Sequence, residues 1–105
     1  MIGVPPPTIT QDITFPDVKG NRFTLLLDTA RHIVFEHRIY RLEDFIRTTL
    51  ANPSTIIASK HSTDAHLYYA LRDDKKYRVE VVDVGHKRIK TAYVSKKLKE
   101  GTIIW

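Results

Sequence analysis

The spacing of apolar residues changes once along the chain, near residue 55. Before that point it is mixed. Ile9, Gln11, Ile13 and Phe15 alternate weakly, as a short edge strand does. Pro16-Asp17-Val18-Lys19-Gly20-Asn21 gathers the residue types that make turns, and Arg22 to Leu27 is a second short apolar strand or the approach to a helix. Asp28 or Thr29 can accept hydrogen bonds from the free N–H groups of a helix running from about residue 30 to 38. On a helical wheel Ala30, Ile33, Val34 and His37 share one face with His37 near its centre, so His37 is expected to point inward. Arg31, His32, Phe35 and Glu36 fall elsewhere. A second helix opens at Leu42 or Asp44, carries Phe45, Ile46 and Leu50 as its stripe, and ends at Asn52-Pro53.

Beyond residue 55 the period is two. Thr55 to Ser59, His66 to Arg72, Tyr77 to Val84 and Arg88 to Ser95 read as strands, separated by a polar loop and by turns at Asp73–Lys76 and Val84–Lys87. Short turns between such strands predict an antiparallel meander. Thr102-Ile103-Ile104-Trp105 is an apolar tail expected to dock. The expected fold class is α+β: two N-terminal helices on one face of a roughly four-stranded antiparallel sheet. Residues 1–21 are expected to form an extended arm or edge hairpin, extended at Pro5-Pro6-Pro7, and residues 22–105 a single domain.

The last strand carries the chemistry. In strict alternation Ile89, Thr91, Tyr93 and Ser95 line one face, with Lys90, Ala92 and Val94 on the other. The plain explanation is that Thr and Tyr are good strand formers. Charge changes the picture. The chain has 105 residues and a formal net charge of +5. Residues 75–99 hold nine basic side chains against Glu80 and Asp83, a local charge of +7 that leaves −2 for the remainder. Such a skew suits a polyanion, most often nucleic acid.

Other classes find little support. There is no cysteine, hence no disulfide framework or thiolate site. No apolar run approaches the ~20 residues that span a bilayer, and no signal peptide is recognisable, so a cytoplasmic location without membrane contact is the default. The five histidines are nowhere paired at helical i,i+4 spacing, and no carboxylate-rich or phosphate-cradling loop is present. Neither metal nor cofactor is expected. What remains is His, Tyr, Thr, Lys and Arg. That inventory suits RNA cleavage by its own 2′-hydroxyl, which needs an acid, a base, and donors to the phosphate. In such a site Lys75, Lys76, Arg78 or Lys90 would neutralise charge. The duller alternatives are that His37 is a core histidine and that Tyr69 merely fills core.

Taken in order, Asp28-Thr29-Ala30-Arg31-His32-Ile33-Val34-Phe35-Glu36-His37, Leu50-Ala51-Asn52-Pro53, Tyr68-Tyr69, Val79 to Val84 and Lys90-Thr91-Ala92-Tyr93 resemble the small phage- and toxin-associated domains of the barnase–EndoU–colicin–RelE nuclease superfamily. The resemblance covers roughly residues 22 to 105. It implies a helix-then-sheet fold of the RelE/barnase kind and metal-independent RNase activity, in a toxin-like or phage-carried effector. RNA would be the substrate and a cognate antitoxin or immunity protein a further partner. By this resemblance His37 is the leading acid–base residue, Arg31 and His32 are accessory, Thr91 and Tyr93 contact phosphate, and Tyr69 neighbours them on the sheet. Arg38-Ile39-Tyr40-Arg41 departs from the proline turn expected after the histidine. Members of such a superfamily can keep the fold without catalysis. A non-catalytic module binding nucleic acid or protein is therefore the alternative, and a ligand-free structural phage component a weaker third.

Overall fold

The computed structural model describes residues 9–105. The Pro5–Pro7 run expected to be extended lies outside the described residues. A hairpin comes first, β1 (Ile13–Pro16) and β2 (Arg22–Leu25). Two helices follow, α1 (Leu27–His37) and α2 (Leu42–Ala51). Five further strands complete the chain: β3 (Thr55–Ser59), β4 (Ala65–Leu71), β5 (Tyr77–Asp83), β6 (Arg88–Ser95) and β7 (Gly101–Ile103). The seven strands of the described residues share one sheet, in the order β1-β2-β6-β5-β4-β3-β7, with β2 and β6 parallel and every other pair antiparallel.

This corrects the expected architecture. A mixed seven-stranded sheet replaces the four-stranded antiparallel one, and the N-terminal hairpin belongs to that same sheet. The additions are long-range pairings that local patterning does not encode. The hairpin joins the sheet where Thr24 lies beside Arg88 and donates its N–H to the Lys87 carbonyl. The C-terminal tail joins where Ile57, Ala58 and Ser59 pair with Ile103, Thr102 and Gly101. Gly101 is needed there, because a Cβ would meet the Ala58 carbonyl oxygen and lie 2.6 Å from Ile57 Cγ2. The tail docks through its backbone; the side chains of Ile103, Ile104 and Trp105 stay exposed.

One anchor ties the hairpin to the sheet centre. The Asp17 carboxylate accepts from the N–H groups of Lys19 and Asn21, from Asn21 Nδ2, and from the Tyr68 hydroxyl of β4. Burial first, and then this carboxylate, push the Tyr68 phenol far up. Val18 N–H also donates to the carbonyl of Leu50 at 2.9 Å, so the turn is fixed to α2.

α1 begins three residues before the expected start. Neither Asp28 nor Thr29 caps it: the first N–H, of Leu27, donates to Asp12 Oδ1 at 2.8 Å from the segment before β1. α1 packs along β6, and α2 packs across β1, β4 and β5. The main core lies on this side, built on Phe15, Phe23, Leu25, Ile33, Ile46, Leu50, Ile56, Tyr68 and Ala92. A smaller cluster of Ile57, Leu67, Tyr69 and Val79 occupies the opposite face.

Glu80 is fully buried on the helix side, opposite Tyr68 and Ala92, and among the described residues neither carboxyl oxygen has a partner. Desolvation pushes its carboxyl well above the ordinary range. A carboxyl whose folded-state value is raised favours folding while protonated, so its contribution is lost as pH rises above the ordinary carboxylate range. Glu80→Met is therefore expected to stabilise the protein by about 1–3 kcal/mol at neutral pH. Denaturant titrations across pH check this: the advantage should shrink as pH falls toward the ordinary carboxyl value.

Candidate functional site

β6 carries the candidate residues, and an irregularity in it decides where they point. Val81 of β5 pairs with Thr91 and the next residue, Val82, with Ile89, so Lys90 is an extra residue in the ladder. Ile89 and Ala92 consequently both enter the main core. The expected row of Ile89, Thr91, Tyr93 and Ser95 is thus broken at its first member. Thr91 and Tyr93 rise on the face that the helices leave uncovered.

There the register builds cross-strand rows. Tyr69, Val79 and Tyr93 stand side by side on β4, β5 and β6; Leu67, Val81 and Thr91 form the next row on one side, and Leu71, Tyr77 and Ser95 on the other. Tyr69 and Tyr77 meet edge to face, with ring centroids 5.6 Å apart. The chain then doubles back over this surface. Ser95 Oγ accepts from Lys97 N–H and donates to the Lys97 carbonyl, closing the turn after β6. Lys99 lands on the tyrosines, its N–H donating to Tyr69 Oη at 2.9 Å and its ammonium 5.6 Å from the centre of the Tyr93 ring.

The two phenols differ. Burial raises Tyr69 and the Lys99 N–H opposes the shift, because that bond favours the phenolate. Burial alone raises Tyr93, and its hydroxyl is buried with no hydrogen-bond partner among the described residues.

His37 is the last residue of α1 and is exposed, which corrects its expected inward aim. It follows Ile33 by one turn on the same stripe, but α1 has by then run past the core. Arg38 takes the left-handed conformation (φ 54°, ψ 40°) and stops the helix by donating its N–H to the Val34 carbonyl. From that end the imidazole sits 6.0 Å from the Tyr93 ring, centroid to centroid, at 41°. The imidazole and the Lys99 ammonium thus both lie near the Tyr93 ring, and the Thr91 hydroxyl belongs to the same face of β6 as Tyr93. Such a set can shuttle a proton and donate to phosphate oxygens.

The remaining candidates lie apart from it. Arg31 is paired with exposed Asp28 at 3.8 Å, and it lines a shallow cavity with Ile9, Thr10 and Ala30. His32 is exposed one residue further along, more than a turn from His37. Lys75 and Lys76 belong to the β4–β5 turn, where Lys75 takes a positive φ of 63° and Lys76 N–H donates to Asp74. Arg78 is on the helix side, 5.9 Å from the centre of the Phe45 ring, so the sheet separates it from Tyr93. Lys90 is exposed at the bulge. Lys99 was not singled out by the sequence, because a lysine among Lys96, Lys97 and Glu100 gives no local signal of what it will land on. Among the described residues no group of three or more His, Asp or Glu side chains is placed to hold a metal ion. No described helix is long and apolar enough to cross a membrane.

The phenols should separate in stability. Tyr69→Phe removes an acceptor and is expected to cost about 1 kcal/mol. Tyr93→Phe removes an unpaired hydroxyl and should lie within about 0.5 kcal/mol of the parent. Chemical denaturation of the two variants under identical conditions measures the difference.

No family model, curated protein or solved structure matches the chain, so neither family nor function is carried over from a relative.

Proposed function

We propose that this chain is a metal-independent endoribonuclease of the toxin or phage-effector type, acting on RNA by attack of the substrate's own 2′-hydroxyl. One observation carries the reading: the exposed His37 imidazole lies 6.0 Å, ring centre to ring centre, from Tyr93, whose strand face also presents Thr91. In this reading His37 exchanges the proton with the 2′-hydroxyl or the departing 5′-oxygen, while the Thr91 and Tyr93 hydroxyls donate to the phosphate. Arg31, His32, Lys75, Lys76 and Lys90 then serve as surface groups that attract the polyanion at longer range. The resemblance of the ordered motifs to the nuclease superfamily is in line with the same reading, and an antitoxin or immunity protein would be its partner.

A second reading is a non-catalytic module that binds nucleic acid or protein. It is favoured by a specific feature: the His37 ring has no hydrogen-bond partner among the described residues to fix its tautomer, as a catalytic imidazole commonly has.

Labelled RNA incubated in EDTA with the native protein and with His37→Ala decides between them. Discrete products ending in 2′,3′-cyclic phosphate are expected, with the rate reduced at least ~100-fold in the variant. Because His37 is exposed, the variant should melt with the parent. Intact RNA that shifts on a low-salt gel would establish the binding module, and equal cleavage by both proteins would remove His37 from the chemistry.

A further inference from the structure

We propose that Lys99 is the phosphate-binding cation of this site, held in place by Tyr69 and resting on Tyr93 until a phosphodiester draws it away. The inference rests on the RNA reading above and adds a residue to it. Two features of Lys99 set it apart from Lys96 and Lys97, and a third leaves its charge available. Its main chain is pinned to a fully buried phenol, through the 2.9 Å bond from its N–H to Tyr69 Oη. Its ammonium lies over the Tyr93 ring at 5.6 Å. Among the described residues that ammonium is in no ion pair, whereas Lys60 takes the neighbouring carboxylate of Glu100 at 3.4 Å.

Tyr93 supplies the independent sign of a ligand. Its hydroxyl is buried and, among the described residues, unpaired, an arrangement that folded proteins largely avoid unless something else meets the group. Lys99 is the charged side chain on that ring. Swinging the ammonium off the π-face toward an incoming phosphate neutralises the anion and clears a path for a phosphate oxygen to accept from the Tyr93 hydroxyl. The exposed His37 ring lies 6.0 Å from the same tyrosine ring, centre to centre. Because the Lys99 backbone is anchored, only its flexible side chain has to move, so less ordering is needed on binding. Tyr69 becomes a positioning residue: fully buried itself, it acts by fixing where Lys99 stands.

The test uses the full chain and a short single-stranded oligoribonucleotide with 2′-O-methyl groups, which binds but is not cleaved by its own 2′-oxygen. Its dissociation constant is measured against salt for the parent, Lys99→Met and Lys99→Arg. Losing one phosphate contact should flatten the slope of log K against log salt by roughly 0.7 in Lys99→Met. Lys99→Arg should restore it, and both variants should melt with the parent. Tyr69→Phe should weaken binding while leaving the slope near the parent's. An unchanged slope in Lys99→Met, with the parent still binding, overturns the role of Lys99 and leaves the RNA reading standing. A parent that binds no RNA overturns both.

Discussion

The unpaired Lys90 shifts the alternation of β6 by one residue, and two surfaces depend on that shift. A one-residue slip in a strand moves every later side chain to the opposite face. Without the bulge, a strand that buries Ala92 would turn Ile89 outward with Thr91 and Tyr93, and the core beside α1 would lose a large apolar side chain. With it, Ile89 and Ala92 both pack under the helices while Thr91 and Tyr93 emerge on the other side. Core and candidate site therefore share a strand without competing for its positions. β6 also takes α1 alongside it and the parallel partner β2, so it is where the N-terminal and C-terminal parts of the chain meet.

What brings His37 to that strand is equally indirect. Asp12 caps α1 from outside the helix, Asp17 ties the preceding hairpin to Tyr68, and the left-handed Arg38 ends α1 directly after the imidazole. Each contact fixes a boundary of α1 or the place where it starts. The site is completed from the other end of the chain, where the turn closed by Ser95 and the close approach at Gly101 bracket the segment that carries Lys99. Groups more than sixty residues apart in sequence thus converge on one tyrosine ring.

This explains which parts were readable in the sequence. The period-two runs at Thr55–Ser59 and Arg88–Ser95 and the turn residues around Asp73 mark elements locally, because side-chain alternation and turn chemistry are properties of a few adjacent residues. The extent of the sheet was not readable: β2 meets β6 and β7 meets β3 across gaps that no local pattern spans. The start of α1 was misplaced because its cap comes from Asp12, fifteen residues away, while two better-looking caps stand unused beside it. His37 lay on the correct stripe of its helix, but the wheel cannot show that the core ends one turn earlier. The bulge was hidden because Lys90 fits an alternating pattern as well as any exposed residue.

The central claim is that ligand binds on the helix-free face of β6, beside the end of α1. Mapping backbone amide chemical shifts by NMR, as a non-cleavable oligoribonucleotide is added, tests it most directly. The account predicts that the perturbations concentrate on His37, Thr91, Tyr93 and the Lys97–Lys99 turn, and spare Arg78 and the Arg31–His32 middle of α1. Perturbations centred on Arg78 and α2, or on Arg31 and His32, would place the ligand elsewhere and contradict it.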